Sequence, residues 1–190
     1  MTGQAHDAVV QYPGGLRVRF RWAGSGQEGS VFALSEVGGN LTDLGEIVSA
    51  APAGLCRAEV RVETPAGAWT ARLASPIFDE PAALAWDTPG LLVVTYGFVT
   101  YGFESRTGQL RWHHRSGSPI VALLGSARLE HVIVQAEIET FAIDAAGEVV
   151  WRVAHSDVVA EAGLVGGQLA LTSYGGQVIA LDARSGRPAS

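Results

Sequence analysis

Four carboxylates, Glu137, Glu139, Asp157 and Glu161, are the side chains of this 190-residue sequence whose type and spacing come nearest to chemistry. Two carboxyls held about 5–10 Å apart can divide acid and base work on a glycosidic bond. Tyr96 and Tyr174 occupy equivalent strand-end zones, where aromatic rings could line a partner or ligand surface. No base or metal ligand accompanies the carboxylates at a fixed spacing, so none of the six is assigned a catalytic role. They are candidate contacts for a partner or ligand. The plainer use of Glu137 and Glu139 is to charge a turn and strand edge against aggregation, and the plainer use of the tyrosines is packing.

Other chemistries are removed by composition. All thirteen basic residues are arginine, which excludes a Schiff-base, Walker-type or general-base lysine. Cys56 stands alone, in an apolar-flanked strand without a nearby histidine, so it reads as a small buried residue and allows neither a disulfide nor a multi-cysteine metal site. His113 and His114 are neighbours on a strand and point to opposite faces, while His131 and His155 are scattered; no metal site is expected. Gly24-Ser25-Gly26-Gln27-Glu28-Gly29 fits Gly-x-Gly-x-x-Gly but lacks a buried strand before it and a full helix after it, so it is expected to be a hairpin loop. No Gly-x-Ser-x-Gly elbow is present.

A formal net charge of −6 argues against nucleic acid, and the alternation of Arg17, Arg19 and Arg21 reads as the solvent face of a strand. The N-terminal residues do not form a signal peptide, and no run reaches the roughly 18 apolar residues of a membrane span. The expectation is a soluble, cytoplasmic protein that engages neither membrane nor nucleic acid.

The elements that must position these residues are set by a repeat. Trp112 and Trp151 lie 39 residues apart, and each follows a glycine, Gly108 or Gly147, by four. The segment Thr100 to Trp112 reads like Thr140 to Trp151, and Val178 to Gly186 is a third copy. Val62 to Trp69 is a degraded copy whose tryptophan comes two residues early. In each, an apolar run with period 2 forms a strand, the acidic residue after it caps turn N–H groups, the glycine takes the positive-φ position of a hairpin, and the next strand carries the tryptophan. The most apolar strands are Leu91 to Val94, Val132 to Val134 and Leu169 to Leu171. Glu137 follows the second of these, at the position matched by Gly97 and Tyr174. Four strands in about 40 residues is the pattern of a propeller blade.

Residues 1–60 keep a β pattern without the period: Leu16, Val18, Phe20 and Trp22 alternate with arginines, and Ala58, Val60 and Val62 alternate with Arg57, Glu59, Arg61 and Glu63. Val31 to Leu34, ahead of Gly38-Gly39, resembles the strand-and-turn segment.

From about Glu80 to Gly186 the chain resembles the PQQ-type repeat of the quinoprotein-like β-propellers, a likeness carried by Thr107-Gly108 with Trp112, Gly147 with Trp151, and Ser185-Gly186. The resemblance implies an architecture more than a chemistry. The quinone cofactor of that family is associated with a vicinal cysteine pair and calcium ligands; with one cysteine, no cofactor is expected here.

The fold expected is all-β and propeller-like, with about four to five four-stranded blades, residues 1–67 forming a divergent N-terminal β region and 68–190 the repeats. An N-terminal strand, Val9 to Tyr12 or Leu16 to Trp22, would complete the last blade. The alternative is an open three-blade array with an N-terminal β segment, whose free sheet edges would favour a homodimer. The expected function is a non-enzymatic protein-interaction module, regulatory or immunity-like, that binds a protein partner through one propeller face. The alternatives are a carboxylate enzyme of carbohydrate or secondary metabolism and a small-ligand sensor in the central pocket.

Overall fold

The structure is a computed structural model that describes residues 4–32 and 38–189. The described residues form sixteen strands in four sheets. The first sheet contains β1 (His6–Tyr12), β2 (Leu16–Ala23), β3 (Asn40–Asp43), β4 (Cys56–Thr64) and β5 (Gly67–Ser75), in the order β1-β2-β4-β5-β3. Only β3 is parallel to its neighbour. The second is a meander of β6 (Ala82–Trp86), β7 (Leu91–Tyr96), β8 (Val99–Glu104) and β9 (Leu110–Arg115), and the third of β10 (Ile120–Leu124), β11 (His131–Ala136), β12 (Glu139–Asp144) and β13 (Val149–Ala154). The fourth has three strands, β14 (Val159–Val165), β15 (Gln168–Ser173) and β16 (Val178–Asp182).

Contacts gather the chain into two compact units, Met1–Pro81 with Phe103–Leu110, and Ala82–Gly102 with Arg111–Ser190. Residue 67 falls inside the β4–β5 hairpin, where Thr64 pairs with Gly67, and the first sheet runs on to Ser75.

The repeat hairpins have the geometry that the sequence pattern calls for. Gly108, Gly147 and Gly186 adopt φ of 75°, 89° and 68°, and the N–H of each donates to the carbonyl of the acidic residue that opens its turn, Glu104, Asp144 or Asp182. The carboxylate of Asp144 accepts from the N–H groups of Ala146 and Glu148, and that of Asp182 from those of Arg184 and Ser185. Each glycine lies under the tryptophan of the preceding repeat: a Cβ on Gly108, Gly147 or Gly186 would fall 2.4–2.5 Å from Trp69, Trp112 or Trp151. Trp69 Nε1 then donates to the Ser105 carbonyl at 2.9 Å, and Trp112 Nε1 to the Ala145 carbonyl at 3.2 Å. Trp69, the early one, thus docks like the others, although Gly67 has φ of 143° and nothing packs on it.

In the second unit the third sheet is buried on both faces. Val132, Val134, Phe141 and Ile143 join Leu91, Val93 and Trp112 in one core cluster, while Ile133 and Ala142 join Val159, Leu169, Leu171 and Leu181 in another. That is why β11 reads as a continuous apolar run rather than an alternating one.

The first sheet is different. One face buries Val18, Phe20, Trp22, Ala58, Val60, Val62, Trp69, Ala71 and Leu73. The other carries Arg17, Arg19 and Arg21 beside Glu63, Arg61 and Glu59, with Arg72 beyond Glu59. This face is partly roofed by the excursion between β2 and β4, and Arg57, Glu59 and Arg61 are buried at 2%, 0% and 4% exposure. Arg57 Nη2 donates to both carboxylate oxygens of Asp43 at 2.8 and 3.0 Å, and Arg72 Nε donates to Glu59 Oε2 at 3.2 Å. The Phe32 ring stacks below Arg72 and Arg57 at 4.0 and 5.1 Å, and Arg61 donates to the Gly38 carbonyl.

Two expectations are corrected by this geometry. The glycine-rich segment leads into a single helical turn, α1 (Glu28–Val31), instead of closing a hairpin; Val31 and Phe32 are accordingly not strand residues, while Ala33 and Leu34 lie outside the described residues. The N-terminal strands pair within the first sheet and do not complete the last one. There the chain begins the fourth position itself, with a Leu181–Pro188 bridge and an Ala189 N–H donating to the Ala180 carbonyl.

Gly147→Ala forces a methyl into the Trp112 ring at a positive φ and is expected to cost about 3 kcal/mol in urea unfolding. Gly163→Ala, where nothing lies within 4 Å and φ is ordinary, should be neutral or gain about 0.5 kcal/mol. Glu59→Ala removes the fully buried carboxylate that Arg72 pairs with and should cost about 3 kcal/mol, against about 0.5 kcal/mol or less for the exposed Arg17→Ala.

Candidate functional site

The turns at one end of the second unit are tied together by a hydrogen-bond pattern that repeats. Ile120 N–H donates to the Gly97 carbonyl, and Val159 N–H to the Glu137 carbonyl. Glu137 N–H donates to the Pro119 carbonyl, and Tyr174 N–H to the Val158 carbonyl. Ser116 N–H and His155 N–H donate to the carbonyls of Phe98 and Ile138. Each β-turn tip is therefore bonded to the connector that enters the next sheet. The tips carry Phe98, Ile138 and Tyr174, of which Ile138 is 47% and Tyr174 79% exposed.

The structure brings several of the sequence-derived candidates to this end. Glu137 and Tyr174 sit on the two turns flanking Val158 and Val159. Asp157 joins them: its carboxylate accepts from Val158 N–H at 2.8 Å and from Gly175 N–H at 3.1 Å. Those bonds and the Ser173 hydroxyl, the largest influence, hold its carboxyl below the usual carboxylate range. Glu139 opens β12, with Oε1 accepting from Gly117 N–H at 2.7 Å and Oε2 3.5 Å from Arg152 Nε. Glu161 is exposed two residues into β14, opposite Thr172. Tyr96 does not belong to the surface: it ends β7 with no exposure, because its position is one residue before the tip and faces the core.

Around Glu139 lies a polar network that sequence spacing does not reveal. Arg152 Nη2 approaches His114 Nε2 at 3.0 Å, and both His114 and Arg152 pack on the Phe141 ring. Thr140 Oγ1 bridges the Gln135 amide oxygen and His155 Nε2, at 2.5 and 2.6 Å. Gln135 and Thr140 are direct partners across the β11–β12 hairpin, a relation readable once that turn is placed; the His114–Arg152 contact depends on packing between separate sheets. His131 was also missed. Its Nε2 lies 2.8 Å from the Ala183 carbonyl, so that nitrogen carries the proton. Ala183 occupies the place of Ser105 and Ala145, the acceptors for Trp69 and Trp112, and Trp151 Nε1 has no hydrogen-bond partner among the described residues.

Clefts open at the opposite ends of these strands. One, of about 220 Å³, is lined by Trp86, Asp87, Ser126 and His131, and a second, of about 670 Å³, by Arg128, Gln168, Asp182 and Arg184. None of the candidate carboxylates reaches either cleft. Among the described residues no group of three or more His, Cys, Asp or Glu is placed to hold a metal ion.

Burial holds His155 below the usual imidazole range; at His114 burial does the same, reinforced by Arg152 and opposed by Glu139. Both folded-state values lie below the unfolded one, near 6.5, so the unfolded chain binds more protons in the window beneath it. Stability is then full above about pH 6.5 and falls as the pH drops towards the folded-state values. Urea unfolding at about pH 7.5 and pH 5.5 should show this loss, and His114→Gln with His155→Gln should flatten it.

Comparison with known proteins adds the following. A family model described as outer membrane protein assembly factor BamB matches residues 136–189. No curated protein sequence matches the chain. Among solved structures, BamB from Moraxella catarrhalis is 17% identical, with a TM-score of 0.55 over 98% of this chain and 50% of that one. A HIRA fragment, residues 644–1017, is 14% identical with a TM-score of 0.50 over 94% of this chain and 50% of its own. The computationally designed Ika4 protein is 16% identical with a TM-score of 0.50, over 60% of this chain and 73% of its own. The chain thus spans half the length of the BamB structure. With tryptophan docked on glycine from one hairpin to the next, the chain has an all-β, propeller-like fold similar to that of the BamB structure, and the family model's match falls on its last repeat.

Proposed function

We propose that the chain is a non-enzymatic protein-interaction module, of a regulatory or immunity-like kind, that acts through the turn end of its second unit. The observation that carries this reading is the pair of exposed apolar tips, Ile138 and Tyr174, on equivalent turns either side of Val158 and Val159. The backbone bonds and the Asp157 cap fix these tips before any partner arrives, which lowers the ordering cost of association. Glu137 and Asp157 rim the apolar tips with charge, the usual layout of a contact patch. Glu139, held by Gly117 and Arg152, supports the turn from behind. The family description is that of an assembly factor, and an assembly role for this chain would use the same surface. The compartment we propose is the cytoplasm, where the buried thiol of Cys56 stays reduced.

A photo-crosslinking amino acid placed at position 174 should give one discrete protein adduct in the native host. The same probe at Val165, which is 71% exposed at the other end of the strands, should not. Ile138→Asp should abolish the adduct while leaving Tm within about 2 °C. Equal adducts at both positions, or an adduct that survives Ile138→Asp, would overturn the proposal.

A further inference from the structure

The open part of the arginine face of the first sheet has no role in the surface just described. Six of the thirteen arginines, Arg17, Arg19, Arg21, Arg57, Arg61 and Arg72, share that face in a chain of net charge −6. Four carboxylates share it with them. Asp43 pairs with Arg57, Glu59 with Arg72, and Asp7 with Arg21, while Glu63 lies 3.6 Å from both Arg17 and Arg61. Among these described residues arginines outnumber carboxylates by two. Arg19 is the residue left over: it has no ion-pair partner among the described residues, and it stands directly opposite Arg61, a like charge. Facing arginines repel, and a structure keeps them together at a cost.

Among the described residues, no ring or hydrogen-bond contact from the roof falls on Arg17 or Arg19. The contacts of Phe32 and Gly38 are with Arg57, Arg72 and Arg61, whereas Arg17 is exposed and Arg19 half-buried. Beside Arg19, the edge strand β1 presents Val9, 48% exposed, as an apolar shelf for the arginine stems.

We propose that this row is a docking site for an extended acidic segment of a partner protein, with carboxylates at alternate residues. The spacing selects that partner: Arg17, Arg19 and Arg21 stand two residues apart on one strand face, about 7 Å, which is also the repeat of same-face side chains on an extended peptide. Each guanidinium can take one carboxylate in a paired, charge-assisted contact. The surplus charge and the repulsion between Arg19 and Arg61 are both relieved when it does.

The probe is a fluorescent peptide of alternating Glu and Thr, read by anisotropy on the full chain. A Gln-Thr peptide, a peptide with its Glu residues in one block, and a short oligo-thymidine strand serve as comparisons. The alternating peptide should bind tightest and weaken with salt. Arg17→Ser with Arg19→Ser should weaken it about tenfold, and Arg111→Ser, an exposed arginine on β9, should not. Amide shifts in the unsubstituted protein should cluster on β1 and β2, which reports the site without any variant. Equal binding of the block peptide, tighter binding of the oligonucleotide, shifts elsewhere, or indifference to Arg17→Ser with Arg19→Ser would each overturn the proposal. Loss of the turn-end adduct leaves it standing, since the two surfaces share no residue.

Discussion

A tryptophan ring laid on the glycine of the following hairpin is the contact on which the repeats depend. The glycine is required twice over, for its positive φ and for the absent Cβ whose place the indole takes. The acidic residue at the head of the turn accepts from N–H groups that would otherwise need water, so the turn is satisfied by its own residues. The sheets can then bury both faces in a chain with only 17% charged residues. One consequence is that the loops at the strand ends inherit a fixed position from the core.

The last of these contacts shows what the interaction tolerates. Where Trp69 and Trp112 donate to a backbone carbonyl, the equivalent carbonyl at Ala183 is taken by His131, which meets the Trp151 ring edge-on at 6.0 Å. Ring packing on Gly186 persists without the indole hydrogen bond. The apolar contact is the constant part, as expected when a net hydrogen bond contributes only about 1 kcal/mol and the buried ring several times that.

The first sheet keeps the tryptophan dock and departs in everything else. Its second face carries charges that are buried and paired at Arg57, Glu59 and Arg61, a less economical solution than the apolar cores of the second unit. Buried ion pairs of this kind are costly to break and contribute little net stability when intact. Their presence fixes which segment lies over β4 and β5, since Asp43, Phe32 and Gly38 each meet a particular arginine.

Much of this was legible in the sequence, and the division follows the range of the forces involved. The strands, the hairpin turns and the tryptophan-to-glycine period are local in register, so alternation, acidic caps and the 39-residue spacing announce them. The candidate residues Glu137, Asp157 and Tyr174 were placed by the same alignment, and they do meet at one end of the second unit. Tyr96, expected in the same strand-end zone, is buried instead, because one residue along a strand exchanges surface for core. The placement of β1 in the first sheet, the roof over Arg57 and Glu59, and the contacts of His114 with Arg152 and of His131 with Ala183 join residues separated by tens of positions. No local pattern encodes which of many arginines or carbonyls will be opposite. Only tertiary packing, by removing water and leaving each polar group one available partner, decided it.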